Sequence, residues 1–163
     1  MKADEIRFLY GYDRWATQRV LGALDGINEE VWGRTHVVDE RGLGSILAHQ
    51  LGAAQRWRMS FQTEGDAVDL PQLEKQPLPS IDELRAMWEE EWAATDEWLA
   101  SISDGFVNYA FEGVPVWHML VHVVNHGTQH RSEAAALMNA EGHSPGELDL
   151  VDYSDEVVAR SKA

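Results

Sequence analysis

The chain has 163 residues, 44% of them hydrophobic, which is enough for one domain with a buried core and too apolar for a disordered protein. Its 28 acidic residues against 13 basic ones give a formal charge of −15, a field that repels phosphate backbones and anionic lipid and so excludes nucleic acid and membrane as expected partners. There is no cysteine, which rules out disulfides, thiolate metal ligands and a cysteine nucleophile; any metal must be held by histidine, carboxylate or water. No apolar run approaches membrane-spanning length, and the opening MKADEIRF lacks the basic-then-apolar pattern of a secretion signal, so a soluble cytoplasmic protein is expected.

The periodicity of Ile6, Leu9, Tyr10, Ala16, Val20 and Leu24 predicts a first helix from about Ala3 to Leu24, with Gly26 as its stop and Asp13 as the polar exception on its stripe. An acidic turn at Asn28–Trp32 leads into THVVDERGLG, which reads as loop or a brief strand. A second helix is expected from near Ser45 to Gly65, carrying Ile46, Leu47, Ala53, Ala54, Trp57 and Phe61 on one arc and His49 at its edge. Pro71, Pro77 and Pro79 mark the segment after it as an extended crossover. Ser80 and Glu83 form a capping box opening a third helix, on which Glu89, Glu90 and Glu91 read as a solvated face. FVNYAF in the turn-rich stretch 104–113 suggests a short strand, and Pro115 suits the first position of a fourth helix ending at Glu141-Gly142. The tail HSPGELDLVDYSDE reads as loop with at most a short turn. Without internal repeats or a composition break, the expected architecture is one all-α domain over 1–163, a four-helix bundle.

The chemistry concentrates in WHMLVHVVNHGTQHRSEAAALM, Trp117–Met138, which holds four of the seven histidines, His118, His122, His126 and His130. A spacing of four puts neighbouring imidazoles about 6 Å apart along the helix and turned by ~40°, close enough for two to share a cation. Four cannot, since the drift from first to last is ~120° over ~18 Å. On a helical wheel His126 and His130 lie at the rim of the apolar arc formed by Leu120, Val123, Val124, Ala134 and Met138, whereas His118 falls among Asn125, Gln129 and Ala136. His122 lies between, open to a supporting role, helix packing or ligation with His126. His36, His118 and His143 read as ordinary exposed or satisfied histidines. His49 offers a third imidazole from a similar edge position, though spacing alone does not join it to the pair.

YDRWATQRVLGAL at 12–24, SILAHQLGAAQRW at 45–57 and HVVNHGTQHRSEAAALMNAEGHSPGELDLVDY at 122–153 resemble the DinB family over nearly the whole chain. The resemblance implies a four-helix bundle of up-down-down-up topology with a long crossover between the second and third helices. It also implies a divalent metal held by one histidine of the second helix and an H-x-x-x-H pair of the fourth, here His49, His126 and His130. Many members read HRGQ after the last ligand, where this chain has His130-Arg131-Ser132-Glu133. Glu133, one turn beyond His130, could orient a ligand imidazole, take a proton from water at the metal, or be an exposed helix glutamate.

Three function classes follow from the resemblance. In the first, the metal (zinc, nickel, iron or manganese) activates a low-molecular-weight thiol for an S-transferase or isomerase reaction on a small-molecule substrate. In the second it assists hydrolysis; the chain has neither HExxH nor a Ser-His-Asp constellation. In the third the metal only stabilises a non-catalytic stress-response or binding module. A homodimer is implied as well. Of the seven tryptophans, Trp88 and Trp92 flank the stripe of the third helix and suit a pocket or an interface, with core packing the default for the rest.

Overall fold

The computed structural model describes residues 1–35, 41–63 and 70–162, and the protein is mostly helical. Four long helices, α1 (Ala3–Gly22), α3 (Leu43–Gln62), α4 (Ile81–Ser101) and α6 (Val116–Ala140), are joined by shorter elements. α1 packs against α6, α6 against α3, α3 against α4 and α4 against α1, so the four enclose a common core. Fully buried Val20, Leu24, Leu47, Leu51, Leu84 and Met138 fill one part of it, and Ile6, Val107 and Leu120 another.

The expected acidic turn is a single helical turn, α2 (Glu29–Gly33), capped by Asn28 Oδ1, which accepts from the Val31 amide at 2.8 Å. α3 starts before Ser45 because its apolar face already begins at Leu43, which is fully buried. Its N-cap, Gly42, is forced by packing, since a Cβ there would collide with the carbonyl oxygen of Arg34. Most of the loop before it, including His36, and the Gly65 stop lie outside the described residues. The crossover contains a 3₁₀ turn, Leu73–Lys75, that the proline pattern did not suggest.

α4 opens on the predicted capping box, with the Ser80 amide donating to Glu83 Oε2 at 2.8 Å and the Glu83 amide to Ser80 Oγ at 3.3 Å. The solvated glutamate face does not hold as a unit. Three consecutive helical residues fan over about 200°, so Glu89 and Glu90 are exposed while Glu91 is buried, bound by Arg58 at 2.7 and 2.8 Å. FVNYAF is split: Phe106–Asn108 belong to α5 (Asp104–Asn108), and only Ala110–Phe111 forms a strand, β1. β1 pairs antiparallel with β2 (Val114–Pro115) across Glu112 and Gly113, both at positive φ as a tight hairpin turn requires. Pro115 therefore caps α6 as extended backbone and is not its first residue.

α6 stops where predicted. Gly142, at φ +83, reverses the chain, and the amides of Gly142 and His143 satisfy the carbonyls of Asn139 and Met138. The tail departs from expectation: Leu150–Arg160 is a helix, α7, of 11 residues. Tyr153 docks it on α1, its ring 5.3 Å from Phe8 and 5.8 Å from Trp15. That aromatic anchor supplies packing that a helix of three turns needs to stay formed.

Candidate metal centre

The α3–α6 contact brings His49, on the second turn of α3, against His126 and His130 on α6. Ring centroids are 5.2 Å apart for His49–His126, 4.8 Å for His49–His130 and 4.3 Å for His126–His130. One ligand nitrogen from each lies within 4.8 Å of the others. The Nε2 atoms of His126 and His130 are 3.1 Å apart. Two nitrogens on a tetrahedral zinc at ~2.05 Å sit about 3.3 Å from one another, so this edge already has the span that a cation needs. His130 is buried; His49 and His126 are half-buried, which leaves one side of the trio reachable.

Two carboxylates fix the tautomers. His130 Nδ1 is 2.7 Å from Glu133 Oε2, and His49 Nδ1 is 2.7 Å from Glu74 Oε1. An ionised carboxylate only accepts, so each Nδ1 carries the proton and each Nε2 presents a bare lone pair. Burial, aided by neighbouring His130 and His49, pulls His126 down to about 4, and burial also lowers His130 against the opposing pull of Glu133. Burial alone would raise both glutamates, but hydrogen bonds (from His49 to Glu74, from Gln129 and His130 to Glu133) bring them below the ordinary carboxylate range. The lowered pKa values of His126 and His130 favour the neutral ring, the state in which histidine ligates.

The other histidines among the described residues lie outside the trio. His122 is exposed, its ring edge-on to Trp57 at 5.4 Å and 5.8 Å from His126. His118 is exposed beside Trp117, and His143 lies against Gly26 in the loop after α6. Ser132, at the departure from HRGQ, faces solvent and donates to the Thr128 carbonyl at 2.9 Å, clear of the trio.

Glu74 and Arg131 are the parts of the site that sequence reasoning missed. Glu74 comes from the crossover, 25 residues from His49, and no local pattern marks it. Arg131 follows His130 and is 1% exposed. It pairs with Asp13, donates to Thr17 at 3.3 Å and Thr128 at 3.1 Å, and lies over the Tyr12 ring. Gly127 makes room for this pair, since a Cβ there would run into the Asp13 carboxylate. Asp13 did carry a signal: a carboxylate on an apolar stripe demands a buried partner.

The model of the DinB family matches residues 2–160. The chain belongs to the DinB family. No curated protein and no solved structure matches it. For a member of the DinB family, a metal-binding family, His49, His126 and His130 are a donor set that fits a divalent cation in number and spacing.

Proposed function

We propose that His49, His126 and His130 hold a divalent cation (zinc, nickel, iron or manganese) and that the protein is a low-molecular-weight-thiol-dependent S-transferase or isomerase acting on a small-molecule substrate. The observation that carries the reading is the geometry of the trio, three imidazoles from two helices with their ligand nitrogens within 4.8 Å. Bound there, the cation would supply Lewis acidity that lowers the pKa of an incoming thiol.

The chain's own residues do the positioning. Glu74 and Glu133 hold the rings of His49 and His130 with Nε2 inward. Glu133 is committed through both oxygens, to His130 and Gln129, and Glu74, whose second oxygen has no partner among the described residues, is held below the ordinary carboxylate range and so is a weak base. This favours a nucleophile that arrives with the cofactor over hydrolysis, and it accords with a chain that has no cysteine of its own. On the same reading the chain is one domain over 1–163, its four long helices run up-down-down-up, and it works as a cytoplasmic homodimer.

The test is a matrix of thiols (bacillithiol, mycothiol, glutathione, coenzyme A) against electrophiles, run on metal-loaded and chelator-treated protein. Thiol conjugation that requires both metal and His130 is the expected result. Turnover of esters or amides without thiol would move the assignment to a hydrolase. Metal-dependent melting with no turnover in any arm would leave a non-catalytic module and overturn the enzyme reading.

A further inference from the structure

The bundle contains a cavity of about 290 Å³ that none of the three imidazoles lines. Tyr10 stands in the middle of the α1 face that borders it, between Arg7 and Arg14 at spacings of three and four. α4 contributes Glu91 and Leu99, and Ala54 of α3 and Val123 of α6 complete the wall. A cavity of about 150 Å³ already admits benzene, so this one has room for a guest of one or two rings.

Two polar atoms on the wall are reachable and unused. The Tyr10 hydroxyl has no hydrogen-bond partner among the described residues, yet it keeps accessible surface. Burial first, then the carboxylates of Asp13 and Glu91, push its pKa up. Both carboxylates border the cavity, so the hydroxyl lies on that side. Asp13 gives Oδ1 to Arg131, while its Oδ2 takes no hydrogen bond among the described residues and is not sealed off, on a side chain 15% exposed. Asp13 projects from the core-facing stripe of α1 towards Gly127 and lines the cavity, so that exposed surface opens on the cavity.

The charges of the wall narrow what fits. Arg58 binds Glu91 at 2.7 and 2.8 Å, Arg14 binds Asp96 at 2.8 Å, Asp13 pairs with Arg131, and Arg7 binds Asp4 at 2.6 Å. A charged guest would add a charge with no counter-ion to a wall already in balance, and it would be desolvated on entry. A neutral guest avoids both costs. An ionised Oδ2 only accepts, so the guest must bring an N–H or O–H to it, and a phenol that donates suits a carbonyl oxygen. An N–H beside a carbonyl on a flat ring is the chemistry of an aromatic amide or lactam.

We propose that this cavity is a second ligand site, for an uncharged aromatic amide or lactam of one or two rings that donates its N–H to Asp13 Oδ2 and accepts from the Tyr10 hydroxyl. None of the three proposed metal ligands lines the cavity, so the proposal stands apart from the metal reading.

The experiment is a calorimetric titration of the full chain in chelator, which silences any event at the cation, with 2-quinolone and benzamide as probes. At least one of them is expected to bind saturably. 1-Methyl-2-quinolone and N,N-dimethylbenzamide, which lack the N–H, should bind at least tenfold more weakly than their parents. Tyr10→Phe, which removes one hydroxyl and keeps the ring, should weaken the probe at least threefold, and Ala54→Leu, which fills the cavity from α3, at least tenfold. If Ala54→Leu fails to fold, Tyr10→Phe and the methylated probes decide. The proposal is overturned if neither probe binds up to its solubility limit, or if the methylated compounds bind as tightly as their parents. It is equally overturned if cationic benzamidine binds more tightly than benzamide, or if Tyr10→Phe or folded Ala54→Leu binds the probe undiminished.

Discussion

Replacing Asp13 by alanine removes the counter-ion of an arginine that lies in the core directly after a proposed ligand. Arg131 is 1% exposed, and without Asp13 its remaining side-chain hydrogen-bond partners are the neutral hydroxyls of Thr17 at 3.3 Å and Thr128 at 3.1 Å, beside the Tyr12 ring face. Taking one partner from a buried ion pair costs about 3–5 kcal/mol because the other charge stays desolvated. The two hydroxyls soften that loss, which puts the expectation near ~3 kcal/mol. For a domain of this length 1 kcal/mol corresponds to about 2–4 °C in Tm, so the melt should fall by roughly 6–12 °C. Circular dichroism melts in chelator keep bound metal from adding to either protein. Asp13→Asn, which keeps an acceptor and loses the charge, should fall between the two. Burial pushes the Asp13 carboxyl up while Arg131 opposes it, so the pair is maintained against a desolvation penalty. Asp13→Leu with Arg131→Met should therefore regain most of the loss or exceed the parent, as buried pairs replaced by apolar residues often do. A fall under 2 °C for Asp13→Ala, or a double variant as poor as the sum of the single ones, would refute the reasoning.

Metal content separates the trio from the rest of the histidine ladder: His49→Ala, His126→Ala and His130→Ala should each lose the stoichiometric ion by mass spectrometry, and His118→Ala should keep it. Unchanged content in His49→Ala and His130→Ala would mean that the ligands lie elsewhere. Stability of the metal-free protein should depend on pH, because burial and neighbouring imidazoles hold His126 at about 4 against an ordinary 6.5 and burial lowers His130 too. The unfolded chain then binds more protons across that window, so stability is full above 6.5 and is lost as pH falls towards about 4. The slope is at most ~1.4 kcal/mol per pH unit per group, and less for half-exposed His126. His126→Gln should flatten the profile of Tm against pH, and an equally steep profile in that variant would count against this origin.

Local signals carried most of the helices. Ser80-Ile-Asp-Glu83 fixes the start of α4 through a reciprocal pair of hydrogen bonds, and Gly142 fixes the end of α6 through a left-handed backbone, so both are legible in a few residues. Wheel angle separated His126 and His130 from His118 for the same reason, since all three share one helix. What failed was either angular or distant. Glu89–Glu91 looked like one face only because adjacency in sequence was taken for adjacency in space, and the 100° step per residue turned Glu91 into the core to meet Arg58. α7 was missed because its helicity rests on Tyr153 reaching Phe8, Tyr12 and Trp15 across the fold. The link from His49 to the pair came from family resemblance, because only the packing of α3 on α6 creates it.

Glu74 ties the crossover to the candidate centre and makes a reciprocal effect measurable. The crossover's 3₁₀ turn delivers this carboxylate to His49 Nδ1 at 2.7 Å. An imidazole that binds a cation through Nε2 becomes a stronger donor at Nδ1, so the bond to Glu74 should tighten when the site is loaded. Thermodynamic linkage then requires equal coupling in both directions: whatever factor Glu74 adds to metal affinity, the metal returns to the docking of the turn. Removing such a ligand-backing carboxylate commonly lowers affinity 10–100-fold, and that range is expected for Glu74→Gln by calorimetric titration. The same factor should appear as slowed hydrogen exchange at the amides of Lys75 and Gln76, which close the 3₁₀ turn on the Gln72 and Leu73 carbonyls at 2.9 and 3.1 Å. In Glu74→Gln the added metal should no longer slow exchange there. A variant that loses affinity while its turn is still protected by metal would break the linkage, and Glu74 would then be a packing residue and not a support for His49.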